Sequence, residues 1–382
     1  MSKYLFINNL SNGGAERVVS RLFNSTFFSE NVKLLTLNNS DFYGCNAIFK
    51  VSFHSKCNFF CYFKAILHLL RLSRQDTLQA HLNLPIIISG LSKLLGAKFR
   101  FQVVHCFSYS SFYRKKTFYY KFIHKLIMSN VLRKASLHIF KSEEMVTDFE
   151  CFFGWVPSNV KVINNPLDKV LIESQANETL PDEFTYDKHR LNVAVVGRLN
   201  KSKRPYDILS VAASLEGFVD FHFFGDGDER QKLNKLVIEE KITNVFFYGS
   251  VKNPFKFVSE FGVYLSCSES EGFPNSLVES LACNAIPIHS DCLTGPKEIL
   301  CDNFQSYSAK KGEFSLEYRG LLFPVGDLIA LRKAIIFVNE NQKDLRHTFL
   351  DRHANYLNKL SVSNVVDKYR IALFETSYEK QN

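Results

Sequence analysis

The sequence predicts an α/β protein built as two doubly wound domains in tandem. Three observations carry that reading. The length of 382 residues and the 46% hydrophobic content suit two ordinary domains, each with its own core. Strand-like and helix-like segments alternate along the whole chain, the pattern that places helices on both faces of a parallel sheet. A polar stretch from about Asp168 to Arg190, with Asn177, Glu178, Pro181, Asp182 and Glu183, separates two such alternating blocks.

In the first block, residues 4–8 read as a strand, 14–28 as a helix and 32–37 as a strand. Residues 57–72 look helical, 77–80 extended, 85–95 helical and 99–104 extended. A long helix over 115–133 follows, then a strand at 137–140 and a helix at 143–153. Residues 160–164 close the block at Asn165-Pro166, since a residue before proline is biased to extended backbone. These residues define a first domain over 1–168 and a linker over 169–190. The second domain, 191–360, opens on the strand Leu191-Asn-Val-Ala-Val-Val196 and has further strands near 219–224, 245–248, 263–265 and 285–289. The tail is mostly helical from Leu328, and a final segment, 361–382, holds a helix over 362–377.

Composition narrows the function classes. The first ten residues hold only a short apolar run, which reads as a first strand and not a secretory signal. No apolar stretch reaches spanning length: 86–95 is broken by Ser89, Gly90, Ser92 and Lys93. Nine cysteines occur at irregular spacing without a C-x-x-C, and Cys57, Cys61 and His68 lack a fourth ligand, so reduced thiols of the cytosol are expected. The net charge of +9 concentrates in 112–134, where Arg114, Lys115, Lys116, Lys121, Lys125, Arg133 and Lys134 interleave with Phe112, Tyr113, Phe118, Tyr119, Tyr120 and Phe122. That mixture suits an anionic bilayer surface or a polyphosphate head group, or equally the solvated face of a long helix. No zinc-finger, RRM or helix-turn-helix pattern speaks for nucleic acid.

The most telling motif is Glu271-Gly272-Phe273-Pro274-Asn275-Ser276-Leu277-Val278-Glu279. It joins a buried strand to a helix, so two carboxylates flank a turn whose first helical amides have no partner inside the helix. Such a turn seats hydroxyls and anionic oxygens. The plainer alternative is that both glutamates are dipole-favoured or solvated helix charges. A second motif, Gly197-Arg198-Leu199-Asn-Lys-Ser-Lys203-Arg204, ends a strand and aims cations from a loop, which suits a departing diphosphate. Its plainer alternative is a basic loop in water.

Gly13 and Gly14 follow the first strand in Asn12-Gly13-Gly14-Ala15-Glu16-Arg17, and paired glycines permit close backbone approach to a ligand. A dinucleotide fingerprint is missing, and Leu37-Asn38-Asn39 stands where its acidic residue belongs, which argues against NAD. His105 and His81 each follow a strand and are candidate ligand contacts or structural histidines. Asp226-Gly227-Asp228 mimics a metal-binding D-x-D but lies between strand and helix, so no metal is assigned.

These motifs resemble those of retaining glycosyltransferases of family 4, with E-G-F-P-x-x-x-x-E similar to the E-x7-E element and Gly197–Lys203 similar to G-R-L-x-x-x-K. Segment 291–300 is similar to the G-P-x-E-I-L of bacterial surface-polysaccharide transferases. The chain departs from the family at Asn284, where glycine is usual, and asparagine is the best substitute in a left-handed cap. The resemblance implies a GT-B fold, with two Rossmann-like domains facing across a cleft and the last helix crossing back to the first. It implies that Arg198 and Lys203 grip the donor diphosphate, Glu271 meets the hexose and Glu279 the ribose. Gly13, Gly14, Gly197, Gly272, Phe273, Pro274, Asn275, Ser276 and Leu277 would line the donor, Ser250 and Val251 its base, and His105 the transferring sugar. The expected substrate is a nucleotide sugar, UDP-linked, with no cofactor and no metal. The expected acceptor is a lipid-linked or lipopolysaccharide O-antigen or capsule glycan. The expected place is the cytoplasmic face of the inner membrane, touched through 112–134, with no nucleic acid bound. An epimerase of the same fold and a non-catalytic nucleotide-sugar-binding scaffold are the alternatives.

Overall fold

The computed structural model describes residues 1–374 apart from Asn12 and Tyr43. The chain divides into two units, Met1–Pro166 with the final segment from Val362, and Leu167–Ser361.

The first unit is built on β1 (Lys3–Ile7), β2 (Val32–Thr36), β3 (Lys50–Ser52), β4 (Thr77–His81), β5 (Arg100–Val104), β6 (Leu137–Phe140) and β7 (Val160–Val162). All pair in parallel, in the order β3-β2-β1-β4-β5-β6-β7, so the order reverses between β1 and β4. Side chains alternate across a strand. Tyr4 and Phe6 enter one core with Phe101 and Val103, while Leu5 and Ile7 enter another with Val18, Leu22 and Ile139. Burial on both faces is why these strands read as continuous apolar runs. The helix Val362–Phe374 completes the second of these cores through Val365, Val366, Tyr369, Ala372 and Leu373. The remainder of the segment assigned to that helix from sequence, 375–377, lies outside the described residues.

The second unit holds β8 (Leu191–Val196), β9 (Val219–Phe224), β10 (Val245–Gly249), β11 (Val263–Ser266), β12 (Ile286–Ser290), β13 (Ser315–Glu317) and β14 (Gly320–Phe323). Their order is β10-β9-β8-β11-β12-β14-β13, parallel except for the β13–β14 hairpin, and it reverses between β8 and β11. Val193 and Val195 face one core, Ala194 and Val196 the other.

The linker expected over 169–190 is instead part of the second unit. Asp168 caps the helix Lys169–Ala176 by accepting a hydrogen bond from the Leu171 amide at 3.1 Å, and Ile172 is fully buried. Phe184 packs 4.8 Å from Phe257 and 5.2 Å from Tyr248, centroid to centroid. The polar composition misled because a few inward apolar residues anchor an otherwise solvated segment. The helix expected over 14–28 is broken into Gly14–Phe23 and Thr26–Asn31, whereas the one expected over 115–133 forms as Phe118–Leu132, preceded by a short separate helix, Tyr109–Arg114. Ser25 binds the Leu22 carbonyl at the break, an alternative to helical bonding that side-chain hydroxyls offer.

Candidate functional site

The reversal of strand order in the second unit sets the carboxyl ends of β8 and β11 side by side, where open α/β sheets hold their ligands. Gly197, Arg198 and the turn Lys201–Lys203 follow β8, and Ser268 to Glu271 follow β11. The Asn200 side chain accepts from the Lys203 amide at 3.1 Å and so shapes this turn, a role that sequence reading missed. The Glu269 amide donates to the Ser202 carbonyl at 2.7 Å and ties the two loops together. Lys203 Nζ then reaches Glu271 Oε1 as an ion pair. Arg198 is exposed at the same strand end, and Gly197, Arg198, Lys203, Ser266 and Cys267 border one small recess. Arg204, adjacent in sequence, turns away and holds Asp207 through two bonds of 2.7 and 3.0 Å.

Glu271 sits in a built environment. Ser268 Oγ donates to its Oε1 at 2.7 Å. Burial pushes its pKa up, but the Lys203 ammonium and hydrogen bond, with His289 and the Ser268 hydroxyl, outweigh burial and hold it below the ordinary value. His289, at the end of β12, is fully buried; its Nδ1 faces the Ser290 carbonyl at 2.8 Å, and burial lowers its pKa to about 4. It is therefore neutral at pH 7 and adds no charge to Glu271 there. The motif over 291–300 acquires a role from these contacts. Thr294 Oγ1 donates to the carbonyls of Glu271 and Gly272, both at 3.1 Å, and the Glu271 amide donates to the Leu293 carbonyl at 2.7 Å. A Cβ on Gly295 would lie 3.0 Å from the Gly272 oxygen, so glycine lets this segment lie flat against the Glu271 turn.

The helix Asn275–Ala282 begins where Gly272 and Pro274 end the turn. Phe273, Leu277 and Val278 are core side chains, so Phe273 and Leu277 meet a ligand only through backbone. Ser276 shares a 2.8 Å hydrogen bond with Tyr264. Glu279 is buried on this helix at 5% exposure. Asn284, past the helix end, takes φ +57°, the left-handed conformation expected there.

The Asp226-Gly227-Asp228 element packs backbone on backbone. A Cβ on Gly225 would lie 1.9 Å from the Gly197 carbonyl oxygen, and one on Gly227 2.4 Å from that of Leu199. The Asp226 carboxylate accepts from the Gly227 amide at 2.7 Å, and Glu229 is capped by the Tyr206 hydroxyl at 2.7 Å. This element buttresses the loop that carries Arg198. Ser250 and Val251 follow β10, where Arg230 donates to the Phe247 carbonyl at 3.0 Å and lies over the Phe247 ring.

Gly13, Gly14, His81 and His105 lie in the first unit. Gly13 caps the helix that starts at Gly14, and a Cβ on Gly13 would meet the Glu16 carboxylate at 2.3 Å; Asn12 is outside the described residues. His105 is 1% exposed, with Nδ1 2.9 Å from the Tyr109 hydroxyl, Nε2 3.0 Å from His138, and its ring stacked 4.2 Å from Phe140. With both nitrogens engaged in the core, this side chain organises its own strand end. His81 is likewise fully buried, against Gln79 at 3.1 Å.

Comparison with known proteins gives the arrangement a family. Residues 176–353 match the family described as Glycosyl transferases group 1, a span inside the second unit. A Campylobacter jejuni N-acetylgalactosamine-N,N'-diacetylbacillosaminyl-diphospho-undecaprenol 4-alpha-N-acetylgalactosaminyltransferase is 28% identical over 313 residues, 78% of this chain and 83% of that protein. An Escherichia coli lipopolysaccharide 1,6-galactosyltransferase is 27% identical over 42% of this chain and 45% of its own length. The structure of Anabaena Alr3699/HepE in complex with UDP matches with a TM-score of 0.76 at 15% identity, covering 98% of this chain and 99% of that one. That likeness establishes the fold, which is GT-B. With a loop-borne cationic pair at one strand end and a braced glutamate at the next, the second unit carries the region, residues 176–353, that matches the group 1 glycosyltransferases.

Proposed function

We propose that this protein is a retaining, metal-independent glycosyltransferase of family 4 that moves a hexose or N-acetylhexosamine from a UDP-sugar to a lipid-linked or lipopolysaccharide glycan. The observation that carries the reading is the Lys203–Glu271 pair at the reversal point of the second sheet. The donor and acceptor classes follow the activities of the Campylobacter and Escherichia relatives and the UDP bound by the Anabaena protein.

In this mechanism the donor diphosphate lies against Arg198 and Lys203, whose charges stabilise the leaving group as the bond to the sugar carbon breaks. The diphosphate competes with Glu271 for the Lys203 ammonium, and the released carboxylate accepts hydrogen bonds from the hexose. Glu271 is a positioning residue; no protein nucleophile is assigned. Glu279 serves the ribose, and Gly272–Leu277 offers backbone amides. Metal independence is supported by the packing role of Gly225 and Gly227, which spends the D-x-D lookalike on loop support.

The protein is further proposed to dock on an anionic membrane surface. Between Phe42 and Ser142 stand sixteen Lys or Arg and a single acid, Asp76. On the helix Phe118–Leu132, Phe118, Tyr119, Phe122, Ile123 and Leu126 are all more than half exposed. Among the described residues no helix is long and apolar enough to cross a membrane. Basic residues beside exposed aromatics favour anionic lipid by about 1 kcal/mol per charge.

The test is transfer by purified protein from a panel of UDP-sugars to lipid-linked and core-oligosaccharide acceptors, with thermal shifts identifying the donor. Transfer with retained anomeric configuration, insensitive to EDTA, supports the reading. Epimerisation of a UDP-sugar without acceptor, or full activity in Glu271→Ala, overturns it. Sedimentation with phosphatidylglycerol vesicles tests docking: Lys115→Glu/Lys116→Glu/Lys121→Glu should release the protein, and unchanged binding defeats the membrane claim.

A further inference from the structure

The first unit holds a recess that none of the roles above uses. It opens at the carboxyl ends of β1, β2 and β3, with Leu84 beyond β4 at its edge, and has a volume of about 220 Å³. One water needs roughly 10–15 Å³ by the same kind of measure, so the space suits a small molecule. Asn8, Asn9, Asn38, His54, Ser55 and Tyr62 line it. Its wall contains no Lys, Arg, Asp or Glu. A site for phosphate would place a cation in the wall, so the occupant is neutral.

The polar groups are arranged for hydroxyls. Asn9 Oδ1 accepts from the amide and hydroxyl of Ser11 at 3.1 and 2.8 Å, and Asn38 Oδ1 accepts from the Ser40 amide at 3.2 Å. Both carboxamide oxygens are engaged with their own loops, which orients the two NH2 groups as donors. The Asn8 backbone carbonyl accepts from the amides of Leu37 and Asn38 at 2.9 and 3.1 Å, joining the ends of β1 and β2. Asn8 Oδ1 is buried and has no partner, an acceptor that lacks its donor. Unpaired buried oxygens of this kind cost about 1–3 kcal/mol and are retained where a ligand or water completes them. The third wall is the helix Asn58–Leu70. It gives Tyr62 to the recess while Phe59, Phe60 and Phe63 stand 69%, 55% and 49% exposed.

We propose that this recess binds one neutral sugar residue of the acceptor glycan, held by the Asn9 and Asn38 amides, the Asn8 carboxamide oxygen and the Tyr62 ring. The assignment of the sugar to an acceptor rests on the transferase reading above. The same helix then holds the glycan on one face and presents aromatic side chains to a lipid surface on the other, the geometry that a saccharide tethered to a bilayer requires.

Saturation-transfer NMR with the methyl α-glycosides of galactose, glucose, N-acetylgalactosamine and N-acetylglucosamine tests the site in the full-length protein. Asn38→Leu and Ser55→Leu fill the recess, and melting curves report their folding. The expected result is saturation of at least one glycoside by the parent protein and loss of about tenfold in affinity, one hydrogen bond's worth, in each folded variant. Steady-state kinetics should show the acceptor KM raised by about the same factor with the donor KM unmoved. No saturation of any glycoside, or saturation equal in parent and variants, overturns the proposal. If transfer is never seen but a glycoside binds and the variants lose it, the transferase reading fails while the sugar site stands.

Discussion

The two units share one strand plan and use its reversal point in opposite ways. In the second unit, the ends of β8 and β11 deliver a partly exposed ammonium and a carboxylate to each other, braced by Ser268, Asn200 and Thr294. In the first, the strand ends enclose their polar groups. His81 is fully enclosed at the end of β4, and Lys141, after β6, is 3% exposed with the Tyr369 hydroxyl as its hydrogen-bond partner. A charge that must meet a changing ligand is kept near water, where exchanging partners costs little. A charge that holds a helix in place can be enclosed at the expense of its pKa. The same topology therefore yields a chemical site in one unit and a structural lock in the other.

The largest effects should fall on the exposed pair. Lys203→Ala and Glu271→Ala are each expected to lower kcat by about 10²–10³, and the double variant to lose little more, because the residues act together. Initial-rate measurements on the three proteins check this; independent, additive losses would break the contrast drawn between the units.

Next comes the buried lysine. Burial lowers the Lys141 pKa to about 8 from an ordinary 10.5, offset in part by Cys106. Between these values the unfolded chain holds more protons than the folded one, so stability rises with pH across the window from about 8 to 10.5. Below pH 8 the folded state bears the full cost of a buried charge, about 3 kcal/mol in scale. In Lys141→Met the difference from the parent should shrink as pH climbs through that window. Denaturant melts at pH 7 and pH 10 decide it, and a parallel pair of curves refutes the lock.

A smaller loss, about 1–3 kcal/mol, is expected for Gly225→Ala, whose Cβ must displace the Gly197 carbonyl. Activity should drop with stability if this contact positions Arg198. Smallest of all is Asn284→Gly, expected within about 0.5 kcal/mol of the parent, whereas Asn284→Ala should cost about 1 kcal/mol. Urea unfolding midpoints resolve both.

Much of the second unit was legible in the chain because its motifs demand particular residue types. Glycines at 225, 227 and 295 are needed where backbones touch, and Glu271 and Lys203 recur at set distances from a strand end. Less was legible in the first unit. His105 follows a strand just as a ligand contact would, yet Tyr109, His138 and Phe140 enclose it. The packed segment over 169–190 hid behind its polar surface, since Ile172 and Phe184 are a small share of it. His289 and Asn200 carried no signal, because their roles come from neighbours far along the chain or from one local turn.

By itself the sequence determined the alternation of strand and helix, the two buried sheets and the positions where only glycine fits. These are matters of periodicity and local sterics, written residue by residue. The tertiary structure alone decided which cation faces which carboxylate. Lys203 and Arg204 are neighbours of equal charge, but the turn at 201–203 sends the first to Glu271 and leaves the second to Asp207. Direction in space depends on loops brought together across 68 residues of chain, and no local pattern records it.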